Sequence, residues 1–237
     1  MTWNHPTGRS PQRVTLLCLG PTRGEWTAAH LGKHHPLGDM GPGGSLECDE
    51  LWTLNRGVTA FPWDVAFVLD DLRNEASLDP DYGRKLRILG QGERPLITST
   101  PYPEYPNALA YPLREVCELL TRTHTYLDNS VPMIIAYAVL VGVRDLAIFG
   151  ADYTGGGEVL EQNRANTEYM IAWARCQGVG VGVPTSSSIT NANRPGPNVY
   201  GHLAPPPAYV HWLRHGWWPE APFDPCFPPT TREENAP

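Results

Sequence analysis

Six short stretches of this chain are apolar with little alternation, and each is bounded by turn-forming, charged or polar residues. Val14 to Leu19 (VTLLCL) closes at Gly20-Pro21. Glu50 to Asn55 (ELWTLN) ends in Asn55-Arg56, and Asp64 to Leu69 (DVAFVL) in Asp70-Asp71. Pro95 to Ser99 (PLITS), Leu146 to Phe149 (LAIF) and Val179 to Val183 (VGVGV) complete the set. A strand that faces solvent on one side alternates apolar and polar residues, whereas a strand buried on both sides is apolar throughout. Runs of this kind therefore constrain the chain to a sheet covered on both faces.

Helical patterns lie between the runs. Arg114 to Thr121 forms one, and Val131 to Val141 a second, with Asn129 or Ser130 as N-cap and Pro132 in its first turn. Glu158 to Gln177 is the longest, and Val159, Tyr169, Met170, Trp173 and Ala174 give it one apolar face. Buried strands separated by helices predict a doubly wound, mostly parallel α/β sheet of Rossmann-like form, spanning residues 1–204. Residues 205–237 differ in kind. They are rich in Pro and Trp, hold room for one short helix (Ala208 to His215), and read as an arm that packs on the domain or a partner.

Composition narrows the function classes. The 237 residues carry a net charge of −7, which argues against a broad nucleic-acid footprint. No apolar run reaches membrane-spanning length, and the start MTWNHPTGRSPQ lacks the form of a signal peptide. Five scattered cysteines without a CxxC pair fit a reducing, cytoplasmic setting.

In an open α/β sheet, ligands bind beyond the carboxyl ends of the strands. The polar residues of this chain collect there. Gly20-Pro21-Thr22-Arg23-Gly24 is either a turn whose amides hold an anion or an ordinary strand-to-helix turn. It matches neither a dinucleotide fingerprint nor a P-loop. Asn55-Arg56 offers an amide for a base or sugar and a cation for a phosphate; a capping Asn and a surface Arg form the alternative. Asp70 and Asp71 can hold Mg²⁺ or Mn²⁺ beside a diphosphate, or one can cap a helix while the other faces water. Asp152 and Tyr153 follow a buried strand and precede Gly155 to Gly157, a pattern that suits sugar hydroxyls or phosphate as well as a plain loop. Gln162 stands where the long helix begins. His202 in NVYGHL is the candidate general base, against a surface or stacking histidine. His34-His35 lacks metal-site spacing, and Trp212, Trp217 and Trp218 read as packing or interface.

The order of these pieces, with NSVPMIIAYAVLVGVRDLAIFGADY late in the chain, resembles the Rossmann-like glycosyltransferases related to bacterial sialyltransferases and motility-accessory-factor proteins. Residues 127–201, including EQNRANTEYMIAWARCQGVGV, look similar to proteins encoded in tailed-phage genomes. The first turn here is Gly-Pro-Thr-Arg, where that family more usually has Gly-x-Gly-Pro-Ser. The resemblance implies that Gly20, Thr22, Asn55, Ser130 and Asp152 line a nucleotide-sugar pocket, with Tyr153 near the phosphate. It implies a phage-encoded glycosyltransferase in the host cytoplasm, acting on a glycan, a protein or a modified DNA base. A binding-only nucleotide sensor or sponge is the second expectation. The third is a structural phage protein that uses the Trp-rich arm for contact, with homo-oligomers formed through it.

Overall fold

The computed structural model of the chain describes residues 4–24, 26, 48–120, 126–154, 157–184 and 187–189. All of them fall within one compact unit, Met1–Thr190. The boundary expected at residue 204 and the Trp-rich arm lie outside the described residues.

The sheet has seven strands: β1 (Arg13–Leu17), β2 (Glu50–Leu54), β3 (Val65–Val68), β4 (Leu96–Thr98), β5 (Ala108–Ala110), β6 (Asp145–Phe149) and β7 (Gly180–Gly182). Their order is β5-β4-β3-β2-β1-β6-β7, and every neighbouring pair is parallel. Among the described residues, five α-helices accompany them: α1 (Leu72–Leu78), α2 (Pro80–Gly90), α3 (Leu113–Leu120), α4 (Ser130–Leu140) and α5 (Glu158–Cys176), with one 3-10 turn at Asn55–Thr59. This is the doubly wound α/β fold that the apolar runs predict. Strand ends differ from the expected ones by one or two residues. β5 and the pair α1 and α2 were not anticipated, because three residues of Ala-Leu-Ala and a polar stretch carry little periodic signal.

Both faces of the sheet are covered. On one, Leu16, Trp52, Phe67, Ile97 and Ile148 pack against Leu120, Ile134, Ile135, Tyr137, Met170 and Ile171. On the other, Ala66, Val68 and Leu96 meet Leu72, Tyr82 and Leu86 of α1 and α2. α4 is apolar nearly all round and buries Val131, Pro132, Ile134, Ile135, Ala136, Tyr137 and Ala138, as a helix without a polar face must. Tyr137 sits between Phe67 and Trp52, with ring centres 5.2 and 5.4 Å away.

Caps set the helix starts. The Asp71 carboxylate accepts from the Arg73 and Asn74 amides to open α1, and Asp79 opens α2 with Pro80 in the first position. Asn129 caps α4 through the Val131 amide. α5 has no side-chain cap; Glu158 and Glu161 in its first turn complement the helix dipole instead.

At the amino end of β2, the buried carboxylate of Glu50 accepts from Thr7 Oγ1 (2.6 Å) and Trp52 Nε1 (2.8 Å). His5 Nε2 lies 3.4 Å from Glu50 Oε2, within ion-pair reach but without hydrogen-bond alignment. These contacts fasten residues 5–7 to the sheet. Among the described residues, no helix is long and apolar enough to cross a membrane.

Candidate functional site

The strand order reverses at β1: β2 to β5 run out on one side, β6 and β7 on the other. Leu17 is in register with Thr53 of β2 and with Phe149 of β6. The residues that follow these ends, Cys18, Asn55 and Gly150 among them, leave the sheet at its carboxyl edge. Asn55 and the β6 exit flank the end of β1 across two strand spacings, roughly 10 Å. This is the switch point at which open α/β sheets form their crevice.

The two loops leaving β1 and β6 interlock there. Cys18 N donates to Phe149 O (2.8 Å), and Gly20 N to Gly150 O (2.7 Å). The Thr22 amide and hydroxyl both donate to Asp152 Oδ2, each at 2.7 Å, while Thr22 Oγ1 accepts from Gly150 N at 2.8 Å. The approach requires glycines. A Cβ on Gly20 would lie 2.5 Å from Gly150 O, and one on Gly150, whose φ is +73°, would lie 2.3 Å from Cys18 O.

This geometry decides the character of the turn. Besides Gly20 N and Thr22 N, Arg23 N donates to Gly20 O and Gly24 N to Pro21 O. Pro21 has no amide hydrogen. The donors that would cradle a phosphate are thus used inside the protein, and of the two readings of Gly20 to Gly24 the ordinary turn describes their backbone. Arg23 brings a cation to the same edge, where its Nη1 donates to Leu19 O at 2.7 Å. The sequence places Arg23 in the turn, but nothing local to it marks this contact of the side chain.

Buried polar atoms mark the edge as well. Among the described residues, Asp152 Oδ1, Asn55 Oδ1, Thr98 Oγ1 and Tyr82 Oη are buried without a hydrogen-bond partner. Asn55 adopts a left-handed conformation (φ 47°) at the end of β2, and Thr98 is the last residue of β4. Each such atom costs about 1–3 kcal/mol, and folded proteins carry few of them. Of these, Thr98 ends β4, Asn55 directly follows β2, and Asp152 lies three residues past the end of β6.

The remaining candidates separate. Tyr153 donates to Asn129 Oδ1 (3.2 Å) and its hydroxyl pairs with Thr167 Oγ1 (2.7 Å), which ties the β6 exit to α4 and α5. Burial holds its phenol above the usual range, so it stays neutral. The same force, with Asp152 adding to it, raises the Cys18 thiol and leaves it unreactive. Ser130 is the half-buried first residue of α4. Beside it Asn166 donates to Asp128, and this polar network around Asn129 escaped the sequence reading because its members lie far apart in the chain.

Arg56 is drawn away from the β2 exit. Its Nη1 donates to Asp79 Oδ2 at 2.7 Å and its guanidinium covers the Tyr82 ring at 4.7 Å. Asp71 is a helix cap, and it also accepts from the Tyr102 hydroxyl, which lowers its pKa. Of the two uses weighed for the Asp70-Asp71 pair, capping is therefore what the structure presents for Asp71, while Asp70 is exposed. Among the described residues, no group of three or more His, Cys, Asp or Glu is placed to hold a metal ion. Gln162 is exposed on α5. His202, the His34-His35 pair and the tryptophans of the arm lie outside the described residues. Comparison of the chain with protein-family models, curated proteins and solved structures finds no match.

Proposed function

We propose that the carboxyl edge at β1 and β6 binds a nucleotide or nucleotide sugar, and that the chain is a glycosyltransferase-like protein using such a donor. The observation that carries this reading is Asp152. One carboxylate oxygen holds Thr22, and the other, Oδ1, is buried at the switch point with no partner among the described residues. A buried acceptor of this kind calls for a donor, and the hydroxyls of a ribose or hexose supply one. Asn55 Oδ1 adds a second acceptor for a base amide or amine, and Arg23 supplies the charge that suits a phosphate.

In the transferase the acceptor oxygen attacks the anomeric carbon as the bond to the nucleotide phosphate breaks. The acceptor's proton passes to a base, for which His202 is the candidate, and the electron pair leaves with the phosphate. A binding-only protein is the second reading. It is favoured by the turn amides and Arg56, whose donors are engaged within the chain.

The test is a thermal-shift screen of the full chain against CMP, UDP, GDP and ADP and their sugars, with and without Mn²⁺. A ligand at a hundred times its dissociation constant adds about 2.7 kcal/mol of stability. We expect a shift with one nucleotide class that Asp152→Ala abolishes and Asp152→Asn weakens. Absence of any shift refutes the reading. Release of free nucleotide from the sugar form separates transferase from binder.

A further inference from the structure

The outer face of α5 is uncharged along its middle. The helix buries Asn166, Thr167, Met170, Ile171 and Ala174. Opposite them, at helical spacing, Glu158, Gln162, Ala165, Tyr169, Ala172 and Cys176 form an exposed line. Val159 beside it is 70% exposed and Tyr169 36%, although the sequence pattern counts both in the helix's apolar face. A solvated helix face carries charged and polar residues along its length. Here the four central members of the line carry no charge. Arg164, on the flank, is engaged by Glu161 at 2.7 Å and Glu168 at 2.6 Å. Tyr169 is braced by the chain itself, since the Tyr126 ring stacks on it with centres 3.9 Å apart and planes 10° apart. An exposed aromatic fixed in this way loses little freedom on binding, which is the property of an interface anchor.

The pattern selects the occupant. Steps of four, three, four, three and four residues separate the members of the line, so it reads alike from either end about the level of Thr167. A two-fold axis at that level lays α5 antiparallel on the α5 of a second copy. Tyr169 then meets the partner's Ala165, whose small side chain leaves room for the ring, and Gln162 meets the partner's Ala172. Glu158 at one end meets the partner's Arg175 and the partner's Cys176 at the other, and symmetry repeats the contact. A parallel pair would instead set Glu158 against the partner's Glu158 and Arg175 against the partner's Arg175. Charge therefore fixes the direction, which interfacial charges do more than they add strength. The helix has 19 residues and is about 28 Å long. One such pair covers less than the roughly 800 Å² per partner of a standard complex, which places the association at about 10–100 μM.

We propose that the outer face of α5 is a self-association surface, on which a second copy of this chain seats its own α5 in antiparallel register. The proposal is independent of nucleotide binding. Its first test is sedimentation equilibrium of the full chain from about 5 to 500 μM, where a reversible monomer–dimer equilibrium is expected. Ala165→Glu sets an acid against the partner's Tyr169 at an exposed position that glutamate, a good helix former, occupies without loss of the fold. It should weaken the dimer at least about tenfold and leave the circular dichroism spectrum unchanged. The second test fixes the register. Glu158→Cys places a thiol opposite the partner's Cys176, and mild oxidation should join position 158 to position 176 in a linked peptide read by mass spectrometry. Within one chain those positions lie at opposite ends of the same helix, about 27 Å apart, so the link forms only between copies. Adding Cys176→Ser should abolish it. The proposal is overturned if the chain stays monomeric throughout, if Ala165→Glu dimerises as the parent does, or if the linked peptides fall elsewhere, residues 205–237 included.

Discussion

Replacing Thr22 by Val tests whether the interlock of the β1 and β6 loops holds the carboxyl edge together. Thr22 is 6% exposed, and its hydroxyl serves two partners, donating to Asp152 Oδ2 and accepting from Gly150 N. Valine fills nearly the same volume with a methyl group in place of the hydroxyl. The Gly150 amide is then buried without an acceptor, and Asp152 keeps only the backbone donor of residue 22. Taking about 1.5 kcal/mol for the orphaned amide, within the usual range of about 1–3 kcal/mol, and about 1.5 kcal/mol for the lost hydrogen bond to a carboxylate, the two come to about 3 kcal/mol. For a domain of this size that lowers Tm by about 6–12 °C. Thr22→Ser keeps the hydroxyl and loses one methyl, a cost of about 0.8 kcal/mol. Urea unfolding of the three proteins, followed by tryptophan fluorescence, measures the difference. If the Val and Ser variants agree within about 0.5 kcal/mol, the hydroxyl is not the element that joins the loops.

Two further perturbations probe the rest of the domain. Burial lowers the pKa of His5 below its ordinary value, against a smaller opposing pull from Glu50. The unfolded chain therefore takes up the proton first, so stability is full above about pH 6.5 and declines as pH falls toward the depressed folded value. His5→Gln should flatten that part of the profile, and an unchanged slope in urea midpoints between pH 7.5 and 5.5 would contradict the assignment. Asp71→Ala removes the α1 cap and should cost about 1 kcal/mol. It should leave any Mn²⁺ effect on nucleotide binding intact; loss of that effect would restore a metal role to the pair.

Much of the fold can be read from short windows of the chain. VTLLCL, DVAFVL and LAIF predict buried strands because burial on both faces demands apolar residues at both phases of the pleat. Asn129 before an apolar run predicts the start of α4 because a cap acts within three residues. The same logic left α1 and α2 unseen, since their stretch is too polar for a helical stripe to stand out. Asp71 and Asp79-Pro80 were their only local signals. The site was legible as an edge and not as a set of contacts. Asn55, Asp152 and Thr22 do meet the carboxyl edge, but Arg56 turns to Asp79 and Tyr153 to Thr167.

What the sequence determined by itself is local: which segments are strands, which are helices, and which strand ends carry polar groups. Tertiary structure alone decided that β6 pairs with β1, placing the switch point there, and that Thr22 meets Asp152 across 130 residues. It alone decided that the turn's amides face inward and that, among the described residues, the Thr98 and Tyr82 hydroxyls have no partner. The physical reason is range. Side-chain periodicity and caps act over one to five turns of chain. The partner of a buried donor is chosen only when distant segments are packed together and each polar group takes the nearest acceptor that the packing offers.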